Sequence, residues 1–213
     1  MSIPILHKKQ LLLSYLQKTG AIKSPEVLGA FKKVRREDFV SEEYKSHAYE
    51  DRALPIEEGA TISQPTTVAQ MLELLDFKKG QKVLEAGSGC GYVLALINEI
   101  IGNKGKIFGI EIKKNLVKFS KKILASKKNI TIVEGDAHQG LKKYAPFDRI
   151  LVSAGAPEIP QNLIEQLNPD GGIMAVPVGQ PYTTQKMLKI TKKKDEIKIE
   201  EKGYFVFVPL VHK

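Results

Sequence analysis

Apolar residues at helical spacing open the chain. The first pattern predicts a helix over residues 8 to 18, with three leucines on one side, Leu12, Leu13 and Leu16. A second helix is predicted to begin at Pro25 with Ser24 as its N-cap, because proline suits the first helical position. Its buried stripe is Val27, Leu28, Phe31 and Val34. Both helices precede the first predicted strand of a sheet, and we expect them to cover one edge of that sheet.

From residue 66 onward, helical and strand-like runs alternate. The predicted elements are, in order, a helix at 66–75, a strand from Val83, a helix at 92–101, a strand at 106–112, a helix at 116–124, strands at 129–133 and 147–152, a helix at 160–167 and a strand at 171–178. This alternation predicts a doubly wound α/β fold, with a mostly parallel sheet and helices on both faces. The last part predicts an antiparallel ending, with strands at 185–191, 197–199 and 204–208 and a polar turn at 192–196.

The length of 213 residues fits one α/β domain with an N-terminal extension. We expect residues 1–66 to hold the N-terminal helices and a substrate or cover loop, residues 67–180 to form the α/β core, and residues 181–213 to form the antiparallel strands. Residues 48–65 have little periodicity and many turn residues. Loops this long inside a compact domain are usually functional.

The run Val83-Leu84-Glu85-Ala86-Gly87-Ser88-Gly89-Cys90-Gly91 predicts a buried strand that enters a glycine turn and then a helix. Glycines there permit positive φ and let a ligand approach the backbone. Glu111 ends the next predicted strand, twenty positions after Gly91. A carboxylate at that place typically binds the ribose hydroxyls of a nucleoside. Gly135-Asp136-Ala137 follows the third strand, where Asp136 is either an adenine acceptor or part of a strand-ending turn.

The spacing of the glycines helps to choose the cofactor. A dinucleotide fold prefers G-x-G-x-x-G around a pyrophosphate, whereas here Glu85 stands two residues before the first of three alternating glycines. A carboxylate at that position repels a pyrophosphate and suits a cation. The pattern resembles the cofactor motif of class I S-adenosylmethionine-dependent methyltransferases, whose ligand carries a sulfonium and an amino group.

Charge and composition exclude some classes of protein. The net charge is +9, and of the 33 basic residues only Arg35, Arg36, Arg52 and Arg149 are arginines. The lysines are scattered and lack interleaved aromatics, so we interpret them as a solvated surface and do not expect nucleic acid as a partner. No apolar run is long enough to span a membrane, and we expect a soluble, cytoplasmic protein. The single Cys90 excludes an internal disulfide and a cysteine metal cluster.

The four histidines, His7, His47, His138 and His212, are too dispersed in sequence to indicate a metal site. The fourth strand is followed by Val152-Ser153-Ala154-Gly155-Ala156-Pro157. Methyltransferases that act on base amines usually have an Asn or Asp, two prolines and an aromatic residue there. An amine acceptor is therefore disfavoured.

Several motifs together resemble the protein-L-isoaspartate O-methyltransferase family over nearly the whole chain after the first helix. They are Gly59-Ala60-Thr61-Ile62-Ser63-Gln64-Pro65, the glycine turn itself, Pro146-Phe147-Asp148-Arg149-Ile150-Leu151-Val152, Ala156-Pro157-Glu158-Ile159-Pro160 and Phe207-Val208-Pro209-Leu210. The Thr-Ile-Ser-x-Pro loop is the most specific of them. Departures are modest: Cys90 stands where serine is common, and Ala137 replaces a glycine.

The resemblance implies a Rossmann-like methyltransferase fold and transfer of a methyl group from S-adenosylmethionine to the α-carboxylate of L-isoaspartyl residues in damaged proteins and peptides. The resulting ester collapses to a succinimide, which reopens a route to normal aspartate. Ser63 would hold the acceptor carboxylate, and no metal is implied. The residues implied to bind the cofactor are Thr61, Ile62, Glu85, Gly87, Ser88, Gly89, Gly91, Glu111, Asp136 and Ala137.

Alternative interpretations remain open on the residues themselves. The chain could be an S-adenosylmethionine-dependent RNA methyltransferase, or a non-catalytic nucleic-acid-binding protein that has a methyltransferase fold. Ser63 could be an N-cap for the helix that starts near Pro65. Cys90 is interpreted as a small packing residue at a helix start and not as a nucleophile. These patterns predict no particular oligomeric state for the protein.

Overall fold

The computed structural model describes residues 4–211. Its helices are Ile5–Lys18 (α1), Pro25–Lys33 (α2), Pro65–Leu74 (α3), Tyr92–Ile101 (α4), Lys114–Ile123 (α5) and Gln161–Glu165 (α6). Its strands are Leu54–Pro55 (β1), Thr61–Ile62 (β2), Lys82–Ala86 (β3), Lys106–Glu111 (β4), Ile130–Glu134 (β5), Arg149–Val152 (β6), Asp170–Val178 (β7), Gln185–Lys193 (β8) and Glu196–Phe205 (β9). Short 3-10 helices lie at Arg36–Phe39, Glu42–His47, Glu57–Gly59, Ala137–Gln139 and Lys142–Tyr144.

Seven strands form one sheet in the order β5-β4-β3-β6-β7-β8-β9. The pairs from β5 to β7 are parallel, and β7–β8 and β8–β9 are antiparallel. The doubly wound, mostly parallel sheet with an antiparallel ending is therefore confirmed. In the register, Ala86 of β3 lies beside Ile110 of β4 and Val152 of β6. The carboxyl ends of these three strands thus meet at one edge, where open α/β sheets bind their ligands.

Each face of the sheet has its own apolar core. Val83 and Leu151 pack with helices α1 to α5 on one side, and Leu84 and Ile150 pack with α6 on the other. Alternate residues of a strand point to opposite faces, so neighbouring buried residues in β3 serve both cores.

The N-terminal helices lie elsewhere than expected. Helix α2 contacts α4 and α3, and the Tyr92 ring of α4 packs edge-on against Phe31 and Phe39, with centroids 6.4 and 5.5 Å apart. The expectation that these helices cover an edge of the sheet is therefore wrong, because their apolar stripe packs on the helical layer of one face. The start of α2 is confirmed, since the Ser24 side chain accepts a hydrogen bond from the Val27 amide.

Two further expectations need correction. Residues 197–199 and 204–208 do not form separate strands: Glu196–Phe205 is one strand at the edge of the sheet, and its hairpin turn lies at residues 194–195. The region 48–65, predicted to be one long loop, contains the antiparallel pair β1–β2 and a 3-10 helix. Within residues 4–211, no helix has the length and apolar character needed to cross a membrane.

Candidate active site

The glycine turn leads directly from β3 into α4. Gly87, Gly89 and Gly91 have φ of 79°, 51° and 85°, in the region that only glycine adopts easily. The Gly87 and Ser88 amides both donate to the Ile110 carbonyl, at 2.9 and 3.1 Å. The turn is therefore fixed to the end of β4 and exposes its backbone at the sheet edge.

A cavity of about 260 Å³ opens at this turn, and we call it the turn cavity. Five of the residues implied to bind the cofactor line it, namely Thr61, Gly87, Gly89, Glu111 and Ala137. Sequence reasoning missed the remaining walls, which come from residues 59–60, 112–113, 153–154, Tyr182 and 208–211. The family resemblance of Phe207-Val208-Pro209-Leu210 was the one signal that pointed to the last of these segments.

Glu111 holds the turn in place. It is 6% exposed, one carboxylate oxygen accepts from the Gly89 amide at 2.8 Å, and the other accepts from the Lys113 amide at 3.0 Å. The side-chain hydrogen bond that anchors the glycine turn therefore comes from Glu111, whereas Glu85 bonds Ser153. Because Glu111 also lines the turn cavity, any ligand there would contact the group that shapes the turn.

Glu85 lies behind the wall of the same cavity. It is 1% exposed, and its Oε1 accepts from the hydroxyl of Ser153, a residue that lines the cavity, at 2.7 Å. In the described part of the chain, Oε2 has no hydrogen-bond partner. Burial raises the pKa of Glu85 to about 8, against the Ser153 hydrogen bond, and the Glu111 charge raises it further. A positively charged ligand beside the free oxygen would favour the ionised form of Glu85 and would be attracted by it in turn.

The other residues implied to bind the cofactor lie around the turn cavity without lining it. Ser88 is buried, its hydroxyl has no partner among the described residues, and a Cβ built on Gly109 would lie 2.9 Å from that oxygen. Gly91 is pressed against α5, because a Cβ there would lie 2.9 Å from a Leu124 methyl group. Ile62 is 3% exposed in the core, and Asp136 accepts from the His138 amide at 2.9 Å.

A second and wider space, which we call the acceptor cleft, lies next to the first. It measures about 810 Å³, and its walls include Asp51, Ser63, Gln64 and residues 204–208. Thr61, Tyr182 and Val208 line both spaces, so the turn cavity and the acceptor cleft adjoin at these three residues. The two spaces therefore lie side by side.

The Ser63 hydroxyl is available in this cleft. Gln64, and not Ser63, occupies the N-cap position of α3, and no side-chain hydrogen bond is made there by the cap residue. Within residues 4–211, the Ser63 side chain makes no hydrogen bond. The interpretation of Ser63 as a helix cap therefore fails, because the Thr66 amide donates instead to Asp51, at 2.8 Å.

The remaining reactive groups lie away from these spaces or are inert. Cys90 is buried, and burial raises the pKa of its thiol to about 11, as expected for a packing residue. Across residues 4–211, no group of three or more His, Cys, Asp and Glu side chains is arranged to hold a metal ion. His212 lies outside the described residues.

Comparison with known sequences agrees with the motif analysis. A family model of protein-L-isoaspartate(D-aspartate) O-methyltransferase matches residues 7–213. A protein-L-isoaspartate O-methyltransferase of Pyrococcus horikoshii is 46% identical over 199 residues, which is 92% of this chain and 89% of that protein. One from Cytophaga hutchinsonii is 45% identical over 212 residues, which is 98% of this chain and 93% of that protein.

Solved structures give the same result. A protein-L-isoaspartate O-methyltransferase superimposes with a TM-score of 0.85 at 30% identity, over 94% of this chain and 65% of that longer chain. A Plasmodium falciparum protein of the same description, solved with S-adenosyl-L-homocysteine, gives a TM-score of 0.82 at 27% identity over 95% and 97% of the two chains. The chain belongs to the protein-L-isoaspartate(D-aspartate) O-methyltransferase family.

Proposed function

We propose that this protein transfers a methyl group from S-adenosylmethionine to the α-carboxylate of L-isoaspartyl residues in damaged proteins and peptides. The observation that carries the proposal is the junction of the turn cavity and the acceptor cleft at Thr61, Tyr182 and Val208. A donor in the first space and a carboxylate in the second would meet there.

The turn cavity fits this cofactor better than a phosphate-bearing one. The Glu111 carboxylate lines its wall and disfavours a pyrophosphate, and Glu85, buried behind that wall, would ionise when a cation binds beside it. The unpartnered Oε2 of Glu85 suits the amino or sulfonium group of S-adenosylmethionine. Glu111 would take the ribose hydroxyls, and Asp136, next to the cavity-lining Ala137, would accept from the adenine amino group. When bound, the cofactor supplies a methyl group that is electrophilic because it is carried on a positively charged sulfur.

The acceptor needs no general base. An α-carboxyl group or an aspartyl side chain has a pKa of roughly 3.3 to 3.9 and is ionised at pH 7. In the reaction, a carboxylate oxygen forms a bond to the methyl carbon, the sulfur–methyl bond breaks, and no proton is transferred. The task left to the protein is positioning, which supplies about 7 to 11 kcal/mol in favourable cases.

Ser63 is the residue we assign to that positioning. Its hydroxyl lies in the acceptor cleft and, across the described residues, donates to no protein group, so it is free to donate to the acceptor carboxylate. Gln64-Pro65 follows it, and Pro65 begins α3. Exclusion of water from the junction would strengthen the attraction between carboxylate and sulfonium.

The partners and the location belong to the same proposal. Isoaspartyl-containing proteins and peptides are the substrates, nucleic acid is not one, and the cytoplasm is the place of action. The ester product would cyclise to a succinimide with loss of methanol, and hydrolysis would return part of it to normal aspartate. The cycle makes the enzyme a repair catalyst.

The proposal is tested with methyl-labelled S-adenosylmethionine and three acceptors: an isoaspartyl peptide, its aspartyl twin and transfer RNA. We expect label in the isoaspartyl peptide alone. Label in transfer RNA with none in the peptide would overturn the proposal in favour of an RNA methyltransferase. No turnover on any acceptor, with nucleic-acid affinity that falls steeply as salt is raised, would favour a binding protein.

A further inference from the structure

The carboxylate of Asp51 accepts hydrogen bonds from residues that follow Ser63 in the chain. Its Oδ1 accepts from the Thr66 amide at 2.8 Å, and its Oδ2 accepts from the Thr66 hydroxyl at 2.7 Å and from the Gln64 side-chain amide at 3.0 Å. The Gln64 amide also donates to the Asp51 carbonyl at 3.1 Å. One side chain thus fixes two of the three residues that follow Ser63.

The backbone around Asp51 is held by a buried arginine. Arg36 is fully buried, and its Nε donates to the Ala48 carbonyl at 2.8 Å while an Nη donates to the Arg52 carbonyl at 3.4 Å. The same guanidinium lies 5.2 Å from the centroid of the Tyr92 ring on α4. The backbone on both sides of Asp51 is therefore tied to the helix that follows the glycine turn.

The direction of the Ser63 hydroxyl depends on these contacts. On the N-terminal side, Thr61 and Ile62 are fixed by pairing with Pro55 and Leu54 in β1–β2. On the C-terminal side, Asp51 accepts hydrogen bonds from both Gln64 and Thr66, and the Thr67 hydroxyl adds a longer one to the Gln64 side chain, at 3.4 Å. Ser63 contributes no side-chain hydrogen bond of its own within the described residues, so its orientation follows from its neighbours.

We propose that Asp51 is a positioning residue for the acceptor carboxylate, which acts by fixing the backbone that presents Ser63. This inference rests on the proposed function, since it concerns the acceptor of that reaction. Asp51 also lines the acceptor cleft, next to Ser63 and Gln64. A purely structural role, as a helix cap, would affect stability and leave the peptide kinetics unchanged.

The chain offers a matched control for such a capping role. Glu73 accepts from the Lys23 amide at 2.9 Å and from the Ser24 amide and hydroxyl at 2.9 and 3.0 Å, at the start of α2. It therefore makes three hydrogen bonds at a helix N-terminus, as Asp51 does. Glu73 lines a separate cavity beside α2 and neither of the two spaces of the candidate site.

The experiment compares Asp51→Ala with Glu73→Ala. We expect both to lower the melting temperature. Asp51→Ala alone should lower kcat/KM for an isoaspartyl peptide, by about 10- to 100-fold, as small displacements of reacting groups do. Its dissociation constant for S-adenosylhomocysteine should stay within about twofold of wild type, and so should the kcat/KM of Glu73→Ala.

A second pair of variants, at Thr66, tests the inference with smaller changes in case Asp51→Ala does not fold. Thr66→Val removes one of the hydrogen bonds to Asp51 and should lower kcat/KM by a smaller factor, whereas Thr66→Ser retains the hydroxyl and should restore wild-type kinetics. With an active wild type, the inference is overturned if Asp51→Ala and Thr66→Val both keep the wild-type kcat/KM for the isoaspartyl peptide. It is also overturned if Glu73→Ala lowers kcat/KM by as large a factor as Asp51→Ala. A wild-type chain that leaves the isoaspartyl peptide unmethylated would instead overturn the proposed function, and the role of Asp51 with it.

Discussion

The Glu85→Gln substitution keeps the shape of a buried side chain and removes its ionisation. In the wild-type protein, burial raises the pKa of this carboxyl from its ordinary value of 4.5 to about 8. The Ser153 hydrogen bond opposes that rise, and the charge of Glu111 adds to it. A glutamine at this position cannot titrate, so any pH dependence that Glu85 causes should disappear.

The sign of the effect follows from proton binding. Between about pH 4.5 and pH 8 the folded chain keeps the Glu85 proton and the unfolded chain has lost it. The stability that Glu85 contributes is therefore complete below pH 4.5 and is lost as the pH rises through 8. One pKa unit corresponds to about 1.4 kcal/mol, so the loss is about 5 kcal/mol in total and about 3 kcal/mol between pH 6 and pH 8. For a chain of this size, 3 kcal/mol corresponds to roughly 6 to 12 °C in melting temperature.

The assay is thermal unfolding of both chains without cofactor, from about pH 5 to pH 9. We expect the melting temperature of Glu85→Gln, relative to that of wild type, to rise steadily with pH until about pH 8. Ser153→Ala serves as a further control, because it removes the hydrogen bond that favours the ionised Glu85 carboxylate. Without that bond the pKa of Glu85 should be higher, so the loss of stability with rising pH should continue to higher pH. Parallel curves for wild type and Glu85→Gln would refute the reasoning.

Three further predictions concern single residues of the site. Ser63→Ala should lower turnover by roughly 10- to 150-fold, the value of one hydrogen bond to a charged acceptor, with cofactor binding and melting temperature unchanged; wild-type turnover with a lowered melting temperature would defeat the assignment. Glu111→Gln should weaken S-adenosylmethionine binding by about 1.5 to 3 kcal/mol. It should also lower the melting temperature, because the glutamine NH2 group would face the Gly89 or Lys113 amide, which is itself a donor. An unchanged dissociation constant in calorimetry would remove Glu111 from the site. Cys90→Ser should keep most of the activity, because the buried thiol is neutral at pH 7; an inactive variant that binds cofactor normally would contradict this.

Local patterns were sufficient for the part of the fold that holds the cofactor. The run from Val83 to Gly91 combines a buried strand, glycines that must adopt positive φ and a helix start, and each of these is determined by neighbouring residues. Helix α4 begins and ends where the apolar pattern predicted. The edge strand β9 was divided wrongly because most of its residues are exposed, so no alternation of buried and exposed positions marks it.

The arrangement of the site depended on contacts between distant residues. Asp51 and Thr66 are fifteen positions apart and lie in a stretch without periodicity, so nothing local pairs them. Both Glu85 and Glu111 were expected near the glycine turn, but which of them binds the Gly89 amide depends on the register of β3 and β4. The wall from Tyr182 belongs to the connection between β7 and β8, and the wall from residues 208–211 follows β9, where Pro209 pairs with Gly155.

Repair itself is the most direct measure of the proposed activity. An L-isoaspartyl peptide incubated with the protein and S-adenosylmethionine over many turnovers can be separated by chromatography from its L-aspartyl form, and methanol release can be followed in parallel. We expect progressive conversion of the isoaspartyl peptide into the aspartyl peptide, dependent on the cofactor and accompanied by methanol. An isoaspartyl peptide that stays unchanged, with active cofactor present and no methanol released, would contradict the assignment of this chain as a repair methyltransferase.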